Sequence, residues 1–363
     1  MKKSKITAIA FLTVLLSVVL AFSAFGAKQE YVDGVFTYTV EDGKATNVKC
    51  VWKTGDKLVI PEELGGYPVV AIGDGAMQGD KYYIDEVIIP SSLERVGAKN
   101  YIFNAMKFYV KCVEDWLDIE FSDNSFRNDP FFYIYVDGKP LKDLVIPEGV
   151  TEIKPYAFNR CTTLETVTLP AGFEKIGVGA FTNSKVKKIY VDSFETWNSS
   201  DMRDNPMKVA DELYIDGKLV TGIDVPESVT ELNSKNFQYI KNLEYLKLHE
   251  NVSAVYGGIS VESLYIDSIE QYIDIIANSV SESDAATSPV SFMSCAKKVY
   301  IGGELLTEIV IPEGVKEIPH GCFSATKGIS KISFPSSVEK IGKNAFFNMP
   351  DTKAVSVLSG TSW

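Results

Sequence analysis

The stretch from Ile146 to Phe158 reads Ile-Pro-Glu-Gly-Val-Thr-Glu-Ile-Lys-Pro-Tyr-Ala-Phe and recurs, in altered form, along most of the 363-residue chain. The other copies begin at Ile60-Pro61, Ile89-Pro90, Leu169-Pro170, Val225-Pro226, Ile311-Pro312 and Phe334-Pro335. Pro147 and Pro170 are 23 residues apart, and so are Pro312 and Pro335. A fixed period in the twenties is typical of solenoid proteins, in which each repeat forms one turn.

Each repeat predicts a short strand followed by a bend. Between Leu164 and Pro170, apolar side chains alternate with Thr166 and Thr168, which is the pattern of a half-buried strand. Proline has no amide hydrogen, so Pro170 ends the strand at the same point in every turn. Because one turn buries too little apolar surface to be stable alone, we expect the turns to stack on a shared apolar column.

A longer unit of duplication contains several turns. Three similar strings each lead into an Ile/Val-Pro copy, namely Tyr135-Val136-Asp137-Gly138-Lys139, Tyr214-Ile215-Asp216-Gly217-Lys218 and Tyr300-Ile301-Gly302-Gly303-Glu304. The sequence therefore predicts about three multi-turn blocks from residue 109 onward. Asp-Gly and Gly-Gly between apolar pairs favour hairpins. Each block should carry either a short hairpin or a tightly turned strand there, and the sequence leaves both open.

Residues 1–27 read as a secretory signal peptide. A basic start precedes a mostly apolar run from Ile6 to Phe25, and small residues follow at Gly26 and Ala27, as in a cleavable leader. No second apolar run approaches the ~18 residues that a membrane span needs. We therefore expect a secreted or cell-surface protein with no membrane span after signal cleavage, although an uncleaved leader would act as an anchor.

Residues 28–56 predict an N-terminal β-hairpin cap, with Asp42-Gly43 as its turn. An uncapped repeat end would expose apolar side chains and open strand edges, so the expected role of this hairpin is structural. Residues 57–363 are then the repeat solenoid. A last strand predicted near Lys353–Leu358 leaves an edge through which the chain could associate with itself.

The repeat resembles a known family. The Ile-Pro strand end, the Val and Ile at three-residue spacing and the Ala-Phe pair are similar to the BspA-type leucine-rich-repeat family of bacterial surface and secreted proteins. The resemblance covers roughly residues 34–358 and implies an α/β repeat solenoid, a curved right-handed coil with short parallel strands on its concave face. Family members are mostly viewed as adhesins or binding proteins, and the family has no catalytic residues to carry over.

Composition and motifs favour binding over catalysis. The net charge of -12 argues against nucleic acid or an anionic membrane as a partner. The histidines His249 and His320 lack the spacing of a metal or nucleophile site, and no catalytic or phosphate-binding fingerprint occurs. The cysteines are odd in number, and Cys322 and Cys161 stand at packing positions of the repeat, so we expect no disulfide framework. We predict no enzyme activity, no cofactor and no metal.

A row of tyrosines is the candidate ligand-binding surface. In Lys188-Ile189-Tyr190-Val191, Ile189 and Val191 should face the column, so Tyr190 should point out of it. The same alternation applies to all six candidate residues, which are Tyr109, Tyr135, Tyr190, Tyr214, Tyr265 and Tyr300. Tyrosine offers broad contact area to protein or sugar ligands. The structural alternative is that these residues only stabilise the sheet by cross-strand stacking.

We therefore expect an exported, non-enzymatic protein that binds an extracellular protein or glycan through its concave strand face, in adhesion or host and matrix interaction. One alternative is an architectural spacer or self-associating surface protein. Another is an extracellular polysaccharide-degrading enzyme, which would need two convergent carboxylates. The irregular connection from Ile269 to Lys298, with a helix-like start and a Ser-rich tract, is a further candidate for special function.

Overall fold

The computed structural model describes residues 28–50, 57–76, 85–100, 107–122, 131–241, 243–279 and 292–357. The chain divides into two compact units between Leu141 and Lys142. The predicted signal peptide and the Ser-rich tract within residues 280–291 lie outside the described residues. The domain bounds expected from the sequence therefore stay predictions. Among the residues that the structure describes, no helix is long and apolar enough to cross a membrane.

The described residues of the first unit form mostly short strands and one short helix. Its elements are β1 (Glu30–Asp33), β2 (Phe36–Glu41), β3 (Lys44–Cys50), β4 (Lys57–Val59), β5 (Glu63–Leu64), β6 (Tyr67–Pro68), β7 (Ala71–Ile72), β8 (Glu86–Ile88), β9 (Arg95–Val96), β10 (Lys107–Val110), α1 (Val113–Leu117), β11 (Glu120–Phe121), β12 (Tyr133–Val136) and β13 (Lys139–Pro140). The strand order in its two larger sheets is β1-β2-β3-β7-β9-β11 and β13-β12-β10-β8-β4.

An antiparallel hairpin leads into the parallel strands of the first unit. Strands β1, β2 and β3 pair antiparallel, and β3 then pairs parallel with β7 through Val48 and Ile72. Asp42 and Gly43 both have positive φ, as the two-residue hairpin turn between β2 and β3 requires. The hairpin is thus hydrogen-bonded to a repeat strand, and its role as a cap stays a prediction.

In the second unit, most turns contain one longer strand and one shorter strand. Its elements are β14 (Asp143–Val145), β15 (Glu152–Ile153), β16 (Thr166–Leu169), β17 (Lys175–Ile176), β18 (Lys188–Val191), α2 (Phe194–Ser199), β19 (Asp201–Met202), β20 (Glu212–Ile215), β21 (Lys218–Leu219), β22 (Gly222–Asp224), β23 (Glu231–Asn233), β24 (Tyr245–Lys247), β25 (Ala254–Tyr256), β26 (Val261–Ile266), α3 (Ile269–Ser279), β27 (Ala296–Ile301), β28 (Glu304–Leu305), β29 (Glu308–Val310), β30 (Glu317–Ile318), β31 (Lys331–Phe334), β32 (Lys340–Ile341) and β33 (Ala354–Val357).

The longer strands of the second unit form three sheets, in the orders β14-β16-β18-β20-β21, β22-β24-β26-β27-β28 and β29-β31-β33. The shorter strands form separate ladders, in the orders β15-β17-β19, β23-β25 and β30-β32. Pairing between repeats is parallel, and only β21 and β28 run antiparallel to their neighbours. Each of these two strands follows a hairpin turn, Asp216-Gly217 or Gly302-Gly303, in which both residues have positive φ. The sequence left open a short hairpin or a tightly turned strand at these positions, and the structure has a hairpin.

The core is the shared apolar column that the repeat pattern predicts. Strand β16 alternates half-buried and buried residues, and Val167 and Leu169 point inward. The Ala-Phe slot stacks from turn to turn, since the rings of Phe158 and Phe181 lie 5.6 Å apart and nearly parallel. Trp116 and Trp197 are fully buried, so their shared position on the connecting leg is a packing position.

The five cysteines differ in their accessibility, and this predicts the order of thiol labelling. Burial raises the pKa of the Cys50 thiol to about 11 and also raises the pKa of the Cys322 thiol. Both thiols should stay protonated at pH 8, and the protonated form is a poor nucleophile. We expect brief maleimide treatment of the native protein to label the half-exposed Cys112 and Cys295 well before Cys50 and Cys322.

Peptide mass spectrometry after timed quenching would measure this order, and a denatured sample that labels all five cysteines would be the control. Equal native labelling rates for Cys112 and Cys322 would contradict the prediction.

Candidate functional site

All six tyrosines that the alternation predicted to point away from the core are partly exposed, and their strand neighbours are mostly buried. On β18, for example, Ile189 and Val191 are buried beside the half-exposed Tyr190. The tyrosines occupy corresponding register positions, because Tyr109 pairs with Tyr135, Tyr190 with Tyr214 and Tyr265 with Tyr300. The structure thus brings the candidate residues together as three pairs.

Each pair is a face-to-face ring stack. The ring centroids of Tyr109 and Tyr135 are 4.8 Å apart, and the two pairs of the second unit each have centroids 4.7 Å apart. The interplanar angles lie between 13° and 26°. One flat face of every ring is therefore covered by its partner, and the pairs offer ring edges and hydroxyl groups to a ligand.

An exposed apolar side chain extends two of the pairs. Next to Tyr214, β21 places Leu219 in the same row, and next to Tyr300, β28 places Leu305 there. Their side chains are 47% and 51% exposed, which is high for leucine. Each row in the second unit therefore combines two tyrosines with an accessible leucine, the kind of amphipathic surface that is enriched in binding interfaces.

Ion pairs fix the orientation of two tyrosine hydroxyls. The Tyr214 hydroxyl donates to Glu212 at 2.6 Å, and Lys188 pairs with Glu212 at 3.0 Å. In the first unit, the Tyr109 hydroxyl donates to Glu86 at 3.1 Å, and Lys107 pairs with Glu86 at 3.3 Å. The same triad of tyrosine, glutamate and lysine thus occurs in both units.

The triads also shift the pKa values of their members. The hydrogen bond from Tyr214, followed by the one from Lys188, lowers the pKa of Glu212. The hydrogen bond to Glu212 is in turn the largest cause that raises the pKa of Tyr214. At neutral pH the carboxylate is therefore charged and the phenol protonated, so the hydroxyl is held in place as a donor.

Tyr245 is a further member of the surface that the sequence reasoning missed. Its hydroxyl donates to Asp224 at 2.7 Å, and its ring meets Tyr265 edge-on at a centroid distance of 6.4 Å. Gly222 makes room for this ring, since a Cβ on Gly222 would clash with it. The alternation in Leu243-Glu244-Tyr245-Leu246 could have revealed that Tyr245 points outward, but the glycine contact depends on the pairing of β22 with β24.

A cleft of about 380 Å³ lies next to Tyr245 in the second unit. The residues from Lys218 to Asp224 line it, together with Phe194, Ile215, Asp216, Pro226 and Tyr245. The cleft thus carries both apolar and charged side chains, and its size is within the range of small ligand sites.

His249, one of the two histidines considered for chemistry, has a structural role. Nε2 of His249 lies 2.9 Å from the carbonyl of Pro226 and 3.1 Å from that of Val229, while Nδ1 accepts from the amide of Asn251. His249 thereby replaces a repeat proline and links two turns. Within the described part of the chain, no group of three or more metal-ligating side chains converges. The prediction that the chain is not an enzyme is untouched by this finding and stays a prediction.

The short parallel strands, the rare helices and the stacked Ile-Pro repeats define a leucine-rich-repeat fold. The family described as BspA type leucine rich repeat region matches this sequence in six copies, over residues 132–259 and 294–361. The match spans more than half of the chain, and the protein belongs to this family. The resemblance noted in the sequence is thereby confirmed.

Solved structures of bacterial leucine-rich-repeat proteins are similar to this one. A leucine rich cell surface protein from Faecalibacterium prausnitzii is 18% identical with a TM-score of 0.40, over 93% of this chain and 97% of that chain. A leucine-rich repeat protein from Bacteroides ovatus is 18% identical with a TM-score of 0.36, over 89% and 93%. The pneumococcal vaccine antigen PcpA is 16% identical with a TM-score of 0.34, over 91% and 82%. No curated protein matches the sequence.

Proposed function

We propose that this protein is an exported, non-enzymatic binding protein that holds an extracellular protein or glycan on the tyrosine-bearing faces of its longer-strand sheets. The setting would be adhesion or host and matrix interaction at the cell surface, and these faces would form the concave side of a curved right-handed coil. The observation that carries the proposal is the repeated pair of stacked tyrosines, in two of which a carboxylate holds one hydroxyl. Bacterial surface proteins are among the similar structures, and the leader-like residues 1–27 agree with export.

Preorganisation favours binding over a purely structural role for these rows. Cross-strand stacking alone needs no fixed hydroxyl and no exposed leucine beside a pair, as found beside two of the three pairs. Tyr214 has both, since Glu212 and Lys188 hold its hydroxyl and Leu219 continues its row. A ligand that meets rigid side chains loses less conformational entropy at the interface. The carboxylates in these triads are bound to lysine and tyrosine, which favours a binding function over hydrolysis.

The alternative function is self-association. It is favoured by the exposed apolar side chains of Ile341, Phe347 and Val355 in the last repeats of the described chain, of which Val355 is 64% exposed. Strand β33 pairs with β31 alone among the described strands. Such an edge can add a strand from a second copy. Any binding experiment should therefore include light scattering over a range of protein concentrations, which measures the oligomeric state.

We expect the purified chain to capture a ligand on an array of extracellular-matrix proteins, mucins and glycans, and the double variant Tyr190→Ser/Tyr214→Ser to bind it at least about 10-fold more weakly. The reason is that tyrosines in a binding surface commonly contribute more than about 1 kcal/mol each. Binding constants for the captured ligand, measured by surface plasmon resonance on both proteins, would test this.

The matched control is Tyr239→Ser/Tyr256→Ser, because these two tyrosines are exposed but lie outside the stacked pairs. A Tyr190→Phe/Tyr214→Phe variant separates the ring from the hydroxyl. The proposal fails if the stacked-pair variant binds as tightly as the wild type, or if no ligand is captured and the protein only dimerises with concentration.

A further inference from the structure

The ladder of longer strands is interrupted twice within the second unit, between β21 and β22 and again between β28 and β29. Strand β21 ends one five-stranded sheet and β22 begins the next, although only Val220 and Thr221 separate them in sequence. Within the described residues, no strand pairs with the outer edge of either strand. Because the hairpin at Asp216-Gly217 reverses the chain, β21 cannot continue the parallel ladder. Residues of both strands line the cleft described above.

The main-chain groups of β22 that face this cleft can be assigned from its pairing. Val225 donates to the Lys247 carbonyl at 3.0 Å, and the Thr221 carbonyl accepts from the chain just before β24 at 2.7 Å. In a parallel ladder, residues bonded to one neighbour alternate with residues whose N–H and C=O point the other way. The amides and carbonyls of Gly222 and Asp224 therefore point toward the open edge.

The same argument applies to β21 on the other side of the cleft. Val220 donates to the Leu213 carbonyl at 2.9 Å, so Leu219, opposite Tyr214, is the residue whose main-chain groups point away from its partner strand. The corresponding hairpin of the first unit has Pro140 at the position of Leu219. Proline has no N–H, which shows that the hairpin does not need a donor there.

The side chains around the cleft include both apolar and charged groups. Leu219, Ile215 and Phe194 provide an apolar wall, while Asp216 and Asp224 place two carboxylates at the cleft against one lysine, Lys218. Asp224 accepts the Tyr245 hydroxyl and forms no ion pair among the described residues. An extended segment with apolar side chains on one face and a basic side chain on the other would satisfy both surfaces.

We infer that this cleft binds an extended peptide segment of a protein ligand by strand addition to β22, with Gly222 and Asp224 as main-chain partners. The inference rests on the proposed binding function and adds the ligand class to it. A peptide is favoured over a glycan for two reasons. Open strand edges pair with a peptide backbone, and the stacked tyrosines nearby have few free flat faces for sugar rings.

The probe is a phage-displayed library of random heptapeptides selected on the immobilised full chain, since no natural ligand is needed to test strand addition. We expect enrichment of extended sequences that alternate apolar residues with a lysine or arginine. On binding a synthetic copy of an enriched peptide, the amides of Gly222 and Asp224 should exchange with deuterium at least about 10-fold more slowly, because new main-chain hydrogen bonds protect them. The segment from Glu304 to Val310, at the second hairpin, is the internal reference.

Proline variants separate backbone pairing from side-chain contact. Asp224→Pro removes the edge amide and should weaken peptide binding about 10-fold more than Asp224→Ala, which keeps that amide. Val310→Pro, at the matching position of the second interruption, should leave binding unchanged, because that edge carries Glu308 and Val310 in place of Gly222 and Asp224 and so lacks the carboxylate of Asp224. Should Asp224→Pro fail to fold, the deuterium-exchange measurement at Gly222 and Asp224 on the unmutated chain still decides whether the backbone of β22 pairs with the peptide.

The outcomes decide between distinct possibilities. The inference is overturned if no peptide is enriched, if Asp224→Pro and Asp224→Ala bind alike, or if a glycan is captured in place of a peptide. Loss of ligand capture in Tyr190→Ser/Tyr214→Ser with an unchanged exchange rate at Gly222 and Asp224 would support the proposed function and overturn this inference. Slower amide exchange at Gly222 and Asp224 on peptide binding, with unchanged binding by Tyr190→Ser/Tyr214→Ser, would support this inference and overturn the proposed role of the tyrosines.

Discussion

Replacing Trp197 with alanine should lower the free energy of unfolding by about 4 kcal/mol, as expected for removal of a large buried aromatic side chain. Trp197 lies on helix α2, which Ser193 caps by accepting from the amide of Thr196. Its indole is fully buried and donates to the carbonyl of Asn236 at 3.1 Å. The helix is only six residues long, so this packing must supply most of its stability.

Asn236 also donates hydrogen bonds back to the end of helix α2. Its amide donates to the carbonyl of Trp197 at 2.7 Å and to that of Ser200 at 3.0 Å. These bonds tie the end of helix α2 to a turn that follows more than thirty residues later. Loss of the indole leaves a cavity beside this buried network, where polar groups are costly to leave without partners.

Urea denaturation followed by far-UV circular dichroism would measure the change, because tryptophan fluorescence is itself altered by the substitution. Trp197→Phe should cost less, about 1 kcal/mol, because a ring remains and Asn205 also donates to the Asn236 carbonyl. Val145→Ala, at a side chain that is 61% exposed, should change stability by less than about 0.5 kcal/mol. A loss below 1 kcal/mol for Trp197→Ala would show that the site is not a packing centre.

The repeat itself could be predicted from the sequence because its signals are local. An apolar alternation such as that around Thr166 and Thr168 requires one face to be buried, and Pro170 ends the strand wherever the chain goes next. The same alternation placed Tyr190 and the other five tyrosines on the outer face. These inferences need only the period of a strand and the chemistry of proline.

The arrangement of the candidate site could not be predicted, because it depends on pairing between distant residues. Asp216-Gly217 indicated a tight turn, but whether β21 pairs back on β20 or continues forward is decided by contacts across the sheet. That choice interrupts the ladder, separates the tyrosines into pairs and opens the cleft. Gly222 carries no local signal, since its lack of a side chain matters only once Tyr245 lies over it.

The ladders of shorter strands were also missed, since two residues such as Glu152 and Ile153 are too few to show a period. They nevertheless bring consecutive turns into close backbone contact. The amide of Gly177 donates to the Ile153 carbonyl at 2.8 Å, and the same bond joins Gly342 to Ile318 two blocks later. A glycine thus follows the short strand where one turn lies directly on the previous one.

Gly177→Ala should therefore destabilise the second unit by about 3 kcal/mol, at the upper end of the cost of overpacking a well-packed site. A Cβ at this position would lie 2.4 Å from the backbone nitrogen of Pro155 and 2.8 Å from the carbonyl carbon of Lys154. These are main-chain atoms that cannot rotate away, so the two turns must move apart. Since each turn is stabilised mainly by its neighbours, that separation weakens the ladder on both sides.

Gly172→Ala is the matched control, because Gly172 has a positive φ of 71° but nothing within 4 Å of its Cβ position. It should cost only the strain of a left-handed alanine, about 1 kcal/mol. Thermal unfolding of the two variants and the wild type at equal concentration would give the comparison. If Gly172→Ala proved as destabilising as Gly177→Ala, backbone conformation and not contact between turns would explain the glycines. A larger loss for Gly177→Ala would instead show that turn-to-turn contact sets the stability of this repeat.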